Sequence, residues 1–222
     1  MLLRADNLAL DRGGRRLFSS LSFALGSGEA LVLRGRNGVG KTSLLRAIAG
    51  LLPLTAGALS LEGGEADVPL GEQAHYLGHA DALKGALTAG ENLAFWAATL
   101  APDSPRFGDA GRVSRAHRAQ RHLDVAAALD QVGLAQVIDF PVHALSAGQK
   151  RRVALARLML AQRPLWLLDE PLTALDQAAQ RRLMEILNAH LAAGGLIVAA
   201  THAPLALSTQ RELRLDDARQ AA

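Results

Sequence analysis

The sequence predicts an α/β fold with a mainly parallel central sheet. Short apolar segments typical of buried strands alternate with segments that have the apolar spacing of helices. A glycine-rich loop stands between one such strand and one such helix, and residues 85–145 contain mostly helical patterns. Strands that alternate with helices favour a sheet covered on both faces. The middle segment is therefore predicted to form a small helical subdomain.

Individual elements of the first part follow from local patterns. Apolar residues alternate over 21–25 as in a half-buried strand, and the apolar run over 30–33 predicts a buried one. Residues 44–52 keep helical spacing, and we expect Pro53 to end that helix. The apolar alternation over 59–61 predicts a further short strand.

The second part contains two helix signals and then a return to alternation. Thr88 and Glu91 have the spacing of a capping box, which predicts a helix start. A helix is predicted over 112–132. Further on, the pattern predicts buried strands over 166–169 and 196–200, with a helix over 177–193 between them. These two strands and the helix between them continue the alternating α/β order.

The composition excludes several classes of function. The 222-residue chain contains no cysteine, which excludes disulfides, thiolate nucleophiles and Fe–S clusters. Its 24 Lys and Arg against 21 Asp and Glu leave a net charge of only +3, so we expect no nucleic-acid partner. No apolar run approaches the roughly 18 residues of a membrane span. We therefore expect a cytoplasmic protein that reaches a membrane only through partners.

The segment GRNGVGKT fits the phosphate-loop pattern G-x-x-x-x-G-K-[ST]. Its glycines allow backbone N–H groups to face phosphate oxygens, and the following helix adds a partial positive charge. Lys41 offers a charge for the β- and γ-phosphates, and the Thr42 hydroxyl can ligate Mg²⁺. The predicted nucleotide-binding residues are Gly35, Arg36, Asn37, Gly38, Val39, Gly40, Lys41, Thr42 and Ser43. The loop alone is compatible with a kinase, a GTPase or an ATPase.

Two acidic residues, Asp169 and Glu170, end a buried strand. In a doubly wound sheet, ligands gather at the carboxyl ends of the strands. Asp169 is therefore expected beside the phosphate loop, where it and Thr42 would hold Mg²⁺. Glu170 is placed to polarise the water that attacks the γ-phosphate.

The pentapeptide LSAGQ has the features of a helix start. Ser146 is a predicted N-cap, Gln149 completes a capping box, and Gly148 leaves room for a backbone to approach a ligand. Taken alone, the motif is compatible with an ordinary capped helix or with a second anion site. The residues of this second predicted site are Ser146, Ala147, Gly148 and Gln149.

The segments GRNGVGKT, LSAGQ, LWLLDE and TALD, with a histidine after the last core strand, have the order and spacing of the ABC ATPase family. The chain resembles this family over nearly its whole length. The resemblance implies a P-loop NTPase fold of the ABC type with N-terminal antiparallel strands, ATP and Mg²⁺ as cofactors, and hydrolysis coupled to transport. It implies one domain over 1–222, with a core of 1–84 and 160–222 and a helical signature subdomain of 85–159.

The same resemblance implies roles for further residues. Two copies are expected to pair head to tail, so that LSAGQ of one faces ATP on the loop of the other. Glu170 is then the catalytic base, His202 contacts the γ-phosphate, and Asp176 lies at the dimer seam. His79 stands where the family usually has Gln, and it is expected near Mg²⁺ or the attacking water. Arg12 stands where an aromatic residue usually stacks on adenine, which Arg can do as a planar cation.

Residues 76–79, 87–93 and 95–96, with the run LSAGQKRRVALARL, resemble the ATP-binding subunits of the cytochrome c maturation system. The resemblance implies transmembrane subunits of that system as partners at the cytoplasmic face of a bacterial inner membrane. It also implies haem export or release of a haem-loaded chaperone. The histidines are scattered, so no direct haem ligation is expected. Three alternatives stay open: a transporter ATPase for another cargo, a soluble ABC ATPase acting on ribosomes or DNA, and a regulatory subunit with little turnover.

Overall fold

The structure is a computed structural model that describes residues 1–100 and 124–216. This part of the chain forms two compact units. As far as their ranges are described, unit 1 comprises Met1–Ala80, Arg163–Thr173 and Gln180–Ala222, and unit 2 comprises Asp81–Gln162 and Ala174–Ala179. The described α-helices are α1 (Lys41–Ile48), α2 (Ala89–Leu100), α3 (Val125–Gln131), α4 (Ala147–Ala156) and α5 (Gln177–Ala192). None of these helices is long and apolar enough to cross a bilayer.

The described strands lie in unit 1 and form two sheets. They are β1 (Leu2–Arg12), β2 (Arg15–Gly26), β3 (Ala30–Arg34), β4 (Ala56–Glu62), β5 (Ala74–Leu77), β6 (Leu165–Asp169), β7 (Leu196–Ala200) and β8 (Gln210–Arg214). An antiparallel sheet has the order β2-β1-β4, and a parallel sheet has the order β5-β6-β7-β3-β8. This arrangement confirms the predicted fold class of a mainly parallel core sheet with N-terminal antiparallel strands.

A tight turn joins β1 to β2 and positions the end of β1. Gly13 and Gly14 have φ angles of 59° and 73°. A two-residue hairpin turn of this kind needs positive φ at both positions, which glycine adopts without a steric penalty. Arg12 and Arg15 therefore pair directly across the hairpin, and Arg12 is held at its tip.

The parallel sheet brings the ends of distant strands to one edge. Strands β6 and β7 are buried along their whole length, as expected for a parallel sheet covered on both faces. The register pairs Leu33 of β3 and Asp169 of β6 with the same residue of β7, Ala200. The segments that follow these strands are consequently neighbours, and they carry the candidate site.

Helix α1 ends earlier than the sequence predicts. The expectation that Pro53 ends this helix is wrong, because the last helical residue is Ile48. Gly50 adopts a left-handed conformation with φ 71°. The N–H groups of Gly50 and Leu51 then donate to carbonyls of the last turn at 3.0 and 2.8 Å, which is a glycine C-cap that satisfies the helix end without proline.

Unit 2 confirms one helix signal and corrects another. Thr88 Oγ1 accepts the Glu91 N–H at 3.0 Å, and the Glu91 carboxylate accepts the Thr88 N–H at 2.8 Å, so the predicted capping box starts α2. A single helix over 112–132 is wrong, because Asp124 is extended and caps α3 by accepting the Ala127 N–H at 2.7 Å. The part of that predicted helix before Asp124 lies outside the described residues.

Candidate functional site

The glycine-rich loop 35–42 connects β3 to α1. Gly35, Gly38 and Gly40 have φ angles of 135°, 76° and 119°, which L side chains rarely adopt. The helical ladder begins with the bond from Leu44 N–H to Gly40 O at 2.8 Å. The N–H groups of the first helical turn therefore precede the ladder and, together with the helix dipole, favour an anion such as a polyphosphate.

The Lys41 ammonium lies inside this loop. Its Nζ donates to Gly35 O at 2.6 Å and to Arg36 O at 3.3 Å, and it lies 3.2 Å from His202 Nε2. Lys41 is only 9% exposed, so the two carbonyls replace water around a buried charge. Ionised phosphate oxygens make stronger hydrogen bonds with an ammonium than carbonyls do, so they can displace both.

Thr42 and Asp169 form a pair of oxygen ligands that fits Mg²⁺. The Thr42 hydroxyl donates to Asp169 Oδ2 at 2.8 Å. Both oxygens are the hard donors that Mg²⁺ prefers, and they lie side by side next to the phosphate loop.

Glu170 is held in a conformation that residues other than glycine seldom adopt. Its φ is 46°, and its N–H donates to Ala200 O at 2.8 Å, which fixes the backbone just past β6. Its Oε1 lies 3.9 Å from His202 Nε2. The Glu170 side chain is 28% exposed, so water can reach its carboxylate. Backbone strain of this kind persists where the surrounding structure imposes it, often at functional sites.

His202 follows the carboxyl end of β7, and contacts on two sides hold it in place. Its Nε2 lies 2.8 Å from Asn37 Oδ1, so the ring contacts the phosphate loop. Arg34 Nη1 donates to Thr201 O at 2.7 Å and to Ala203 O at 3.1 Å, the carbonyls on either side of His202. Arg34 thus holds the segment that presents the imidazole.

Sequence reasoning did not identify two side chains that shape this site. Arg34 carries only a positional signal, since it is the last residue of the strand before the loop. Asp216 carries none; its carboxylate accepts the Arg36 N–H at 3.2 Å and Arg36 Nε at 3.3 Å, which anchors the start of the loop. A β-carbon at Gly35 would lie 2.9 Å from the same carboxylate, so this close approach also requires glycine.

The predicted signature residues lie in unit 2, whereas the loop, the acids and His202 lie in unit 1. Ser146 Oγ accepts the Gln149 N–H at 3.2 Å and Gln149 Oε1 accepts the Ser146 N–H at 2.8 Å, a complete capping box at α4. A β-carbon at Gly148 would lie 2.7 Å from Ala174 O. Asp176 Oδ1 accepts a backbone N–H of the first turn of α5 at 2.8 Å.

Two further predicted residues are found on the surface of unit 1. His79 is exposed and follows the end of β5 by two residues. Arg12 is exposed at the hairpin tip, and its Nη1 donates to Ser43 Oγ at 3.4 Å. Ser43 itself is buried in the first turn of α1. The roles expected for His79 and Arg12 toward a nucleotide stay predictions.

Comparison with known proteins shows the family. A family model described as ABC transporter matches residues 18–173. The cytochrome c biogenesis ATP-binding export protein CcmA of Rhodopseudomonas palustris (strain BisB5) is 48% identical over 215 residues, 97% of this chain and 98% of the relative. The protein of the same name from Bradyrhizobium diazoefficiens is 50% identical, with the same two shares covered.

Solved structures agree on the fold. An ATP-binding subunit of an ABC transporter has a TM-score of 0.72 at 26% identity, with 91% of this chain and 80% of the other covered. An ABC transporter ATP-binding protein from Pyrococcus furiosus has a TM-score of 0.74 at 19% identity, with 96% and 98% covered. The latter likeness shows the fold alone.

The chain therefore belongs to the ABC transporter family of ATP-binding proteins. Within that family, its relatives at 48% and 50% identity are CcmA proteins that match it over nearly their full length. The resemblance inferred from the sequence motifs and the predicted class of ABC ATPase are confirmed. An ABC ATPase domain binds ATP, so the family assigns ATP binding to this chain.

Proposed function

We propose that this chain is the ATP-hydrolysing subunit of an ABC exporter that serves cytochrome c biogenesis. The observation that carries the proposal is the meeting of Lys41, Thr42, Asp169, Glu170 and His202 at one edge of the parallel sheet. Relatives named as cytochrome c biogenesis ATP-binding export proteins align over nearly the whole chain, which supports the same task here.

ATP binds with its phosphates in residues 35–43. The N–H groups of the loop and of the first turn of α1 surround the phosphate oxygens. Lys41 exchanges the Gly35 and Arg36 carbonyls for β- and γ-phosphate oxygens, a change from neutral to charge-assisted hydrogen bonds. Because the Lys41 ammonium is already buried within the loop, binding adds little further desolvation cost.

Thr42 and Asp169 are the proposed Mg²⁺ ligands, because both offer hard oxygen donors next to the phosphate loop. The ion would neutralise charge on the β- and γ-phosphate oxygens. Thr42 would hold it through its hydroxyl oxygen, and Asp169 would hold it directly or through water while its carboxylate still accepts the Thr42 hydroxyl proton.

Glu170 is the proposed general base. Its carboxylate lies 3.9 Å from His202 Nε2 and is reachable by water. It orients and deprotonates the water that attacks the γ-phosphate. His202 contacts the γ-phosphate through Nε2, the atom that faces Lys41, Asn37 and Glu170. Arg34 keeps His202 in place through the flanking carbonyls.

A second copy of the chain is the proposed partner at the nucleotide. The capped start of α4, Ser146–Gln149, offers N–H groups to the γ-phosphate bound on the other copy, and Asp176 lies at the seam. His79 acts near Mg²⁺ or the attacking water. In this proposal residues 1–222 act as one ABC ATPase domain whose signature subdomain is 85–159.

The other proposed partners are transmembrane subunits of the cytochrome c maturation system. The chain would then work at the cytoplasmic face of a bacterial inner membrane, and it would ligate no haem itself. The exported or released group is haem or a haem-loaded chaperone, and its contacts lie in the partner chains. The alternative is an ABC transporter for another cargo, and a cellular assay of haem attachment distinguishes the two.

Two substitutions test the chemistry in the complex with its membrane subunits. Lys41→Ala is expected to weaken ATP binding about 10- to 100-fold, since it removes charge-assisted hydrogen bonds worth about 1.5–3 kcal/mol. Lys84→Ala, which removes an exposed lysine of unit 2, is the control. Glu170→Gln is expected to keep ATP binding, to slow hydrolysis at least about 100-fold, and to accumulate an ATP-bound dimer in size-exclusion chromatography. Glu185→Gln on the exposed side of α5 is its control, and normal turnover by Glu170→Gln would remove Glu170 from this role.

A cellular assay tests the transport task. In a strain that lacks this gene, covalent haem attachment to c-type cytochromes is measured by haem staining after electrophoresis. The wild-type chain is expected to restore attachment, and Glu170→Gln is not. Normal haem attachment in the deletion strain would refute the cytochrome c assignment while leaving the ATPase proposal intact.

A further inference from the structure

The hairpin tip of the antiparallel sheet brings a guanidinium to the phosphate-binding helix. Arg12 Nη1 donates to Ser43 Oγ at 3.4 Å. Ser43 is 4% exposed and lies in the first turn of α1, directly after Lys41 and Thr42. The charge of Arg12 is thus added to the N-terminal end of a helix that already favours an anion.

The first turn of α1 places Arg12 next to the proposed phosphate ligands. Lys41 lies beside His202, and Thr42 is bonded to Asp169. Ser43 follows these two residues in the same turn. The guanidinium bound to Ser43 is therefore a further positive charge beside the proposed phosphate site.

The described residues of unit 1 offer no exposed aromatic ring to a base. Phe18 and Trp166 are buried, and Phe23 and Tyr76 are partly buried and pack as part of unit 1 rather than as an open platform. Affinity for a base usually comes from stacking on an aromatic ring. Arg12 could stack on a base only if it left Ser43. Its planar guanidinium matches the geometry of a phosphate better than that of a base.

We propose that Arg12 binds the triphosphate of the nucleotide, and that the site therefore takes nucleoside triphosphates with little selection for the base. This inference rests on the proposed nucleotide site and changes the role expected for Arg12 from base stacking to phosphate binding. Affinity then resides in the triphosphate, which every nucleoside triphosphate shares.

Competition binding distinguishes phosphate binding from base stacking. ATP, GTP and inorganic tripolyphosphate displace a fluorescent ATP analogue from the purified full chain in the presence of Mg²⁺. In the wild type, the dissociation constants for ATP and GTP are expected within about threefold of each other. Arg12→Ala is expected to weaken all three ligands by a similar factor of about 5- to 30-fold, the range for one partly exposed charge-assisted hydrogen bond.

Matched variants make the result specific to Arg12. Arg12→Lys retains the charge and is expected to recover most of the affinity for all three ligands. Arg16→Ala removes an equal charge nearby, from a side chain bound to Asp11 at 2.7 Å, and is expected to change no affinity by more than about twofold. Arg12 is exposed, so its removal leaves the core of the fold intact.

Three results would overturn the inference. One is an Arg12→Ala protein that binds tripolyphosphate like the wild type but binds ATP more weakly, which assigns Arg12 to the base. Another is unchanged binding of all three ligands by Arg12→Ala. The third is a wild-type preference for ATP over GTP of 30-fold or more. The proposed function fails separately, through Lys41→Ala binding ATP normally.

Discussion

A half-buried histidine in the core of unit 1 makes stability depend on acid pH. His190 of α5 stacks on Trp166 of β6 with ring centroids 3.9 Å apart and an interplanar angle of 9°. Its Nε2 is buried without a hydrogen-bond partner among the described residues. Burial lowers the pKa of His190 from 6.5 to about 4, and backbone groups of Leu196 and Pro164 offset this only in part. The folded state therefore favours the neutral imidazole.

The direction and size of the effect follow from the two pKa values. The unfolded chain binds the proton near pH 6.5 and the folded protein only near pH 4, so the unfolded state holds more protons between these values. The free energy of unfolding is at its full value above pH 6.5 and falls as the pH drops toward 4. At about 1.4 kcal/mol per pKa unit, the total loss is about 3 kcal/mol.

Urea unfolding between pH 8 and pH 4 measures this loss when the wild type is compared with His190→Phe. Phenylalanine keeps a ring on Trp166 but binds no proton. His75 also contacts Trp166, in a T-shaped arrangement, and it is present in both proteins, so it does not contribute to the difference between them. The difference in unfolding free energy, wild type minus variant, is expected to be flat above about pH 7 and to fall by up to about 3 kcal/mol at about pH 4. An equal difference at pH 8 and pH 5 would refute the reasoning.

Three other substitutions have defined expected outcomes. Ser146→Ala removes the side chain that caps α4 and should lower the unfolding free energy by about 1 kcal/mol in urea, whereas Ser146→Thr should retain most of it. Gly57→Ala would place a β-carbon 2.5 Å from two backbone oxygens of β1, at a residue with φ 89°. It should lower the unfolding free energy clearly more than Gly13→Ala does. A β-carbon at Gly13 meets no atom within 4 Å, so that substitution carries only the conformational penalty of about 1 kcal/mol. Arg34→Ala should lower the kcat of ATP hydrolysis more than it raises KM, because it frees the carbonyls that flank His202; an unchanged kcat would contradict the holding role.

Elements that depend only on neighbouring residues were predicted correctly from the sequence, because the interactions that form them are local. The capping boxes at Thr88 and Ser146 form as expected, because each needs only residues three positions apart. The buried strands that precede Lys41 and Glu170 were recognisable because apolar runs of this length are typical of a parallel sheet. The order of such segments was enough to predict the fold class and the family.

Elements held by distant partners gave weaker local signals. Strand β8 is polar and mostly exposed, and it is a strand because its backbone pairs with β3 at the sheet edge. Helix α1 ends at a glycine C-cap three residues before the proline that was predicted to end it, because the left-handed Gly50 lets the cap bonds form there.

The geometry of the site itself was decided by the tertiary structure. Thr42 and Asp169 are 127 positions apart in the sequence, and Asn37 and His202 are 165 positions apart, yet each pair is 2.8 Å apart in the structure. Parallel strands bring their carboxyl ends to one edge regardless of their separation in the chain, so these contacts depend on strand order and register. The contact of Arg12 with α1 likewise exists only because a two-glycine hairpin carries the guanidinium there.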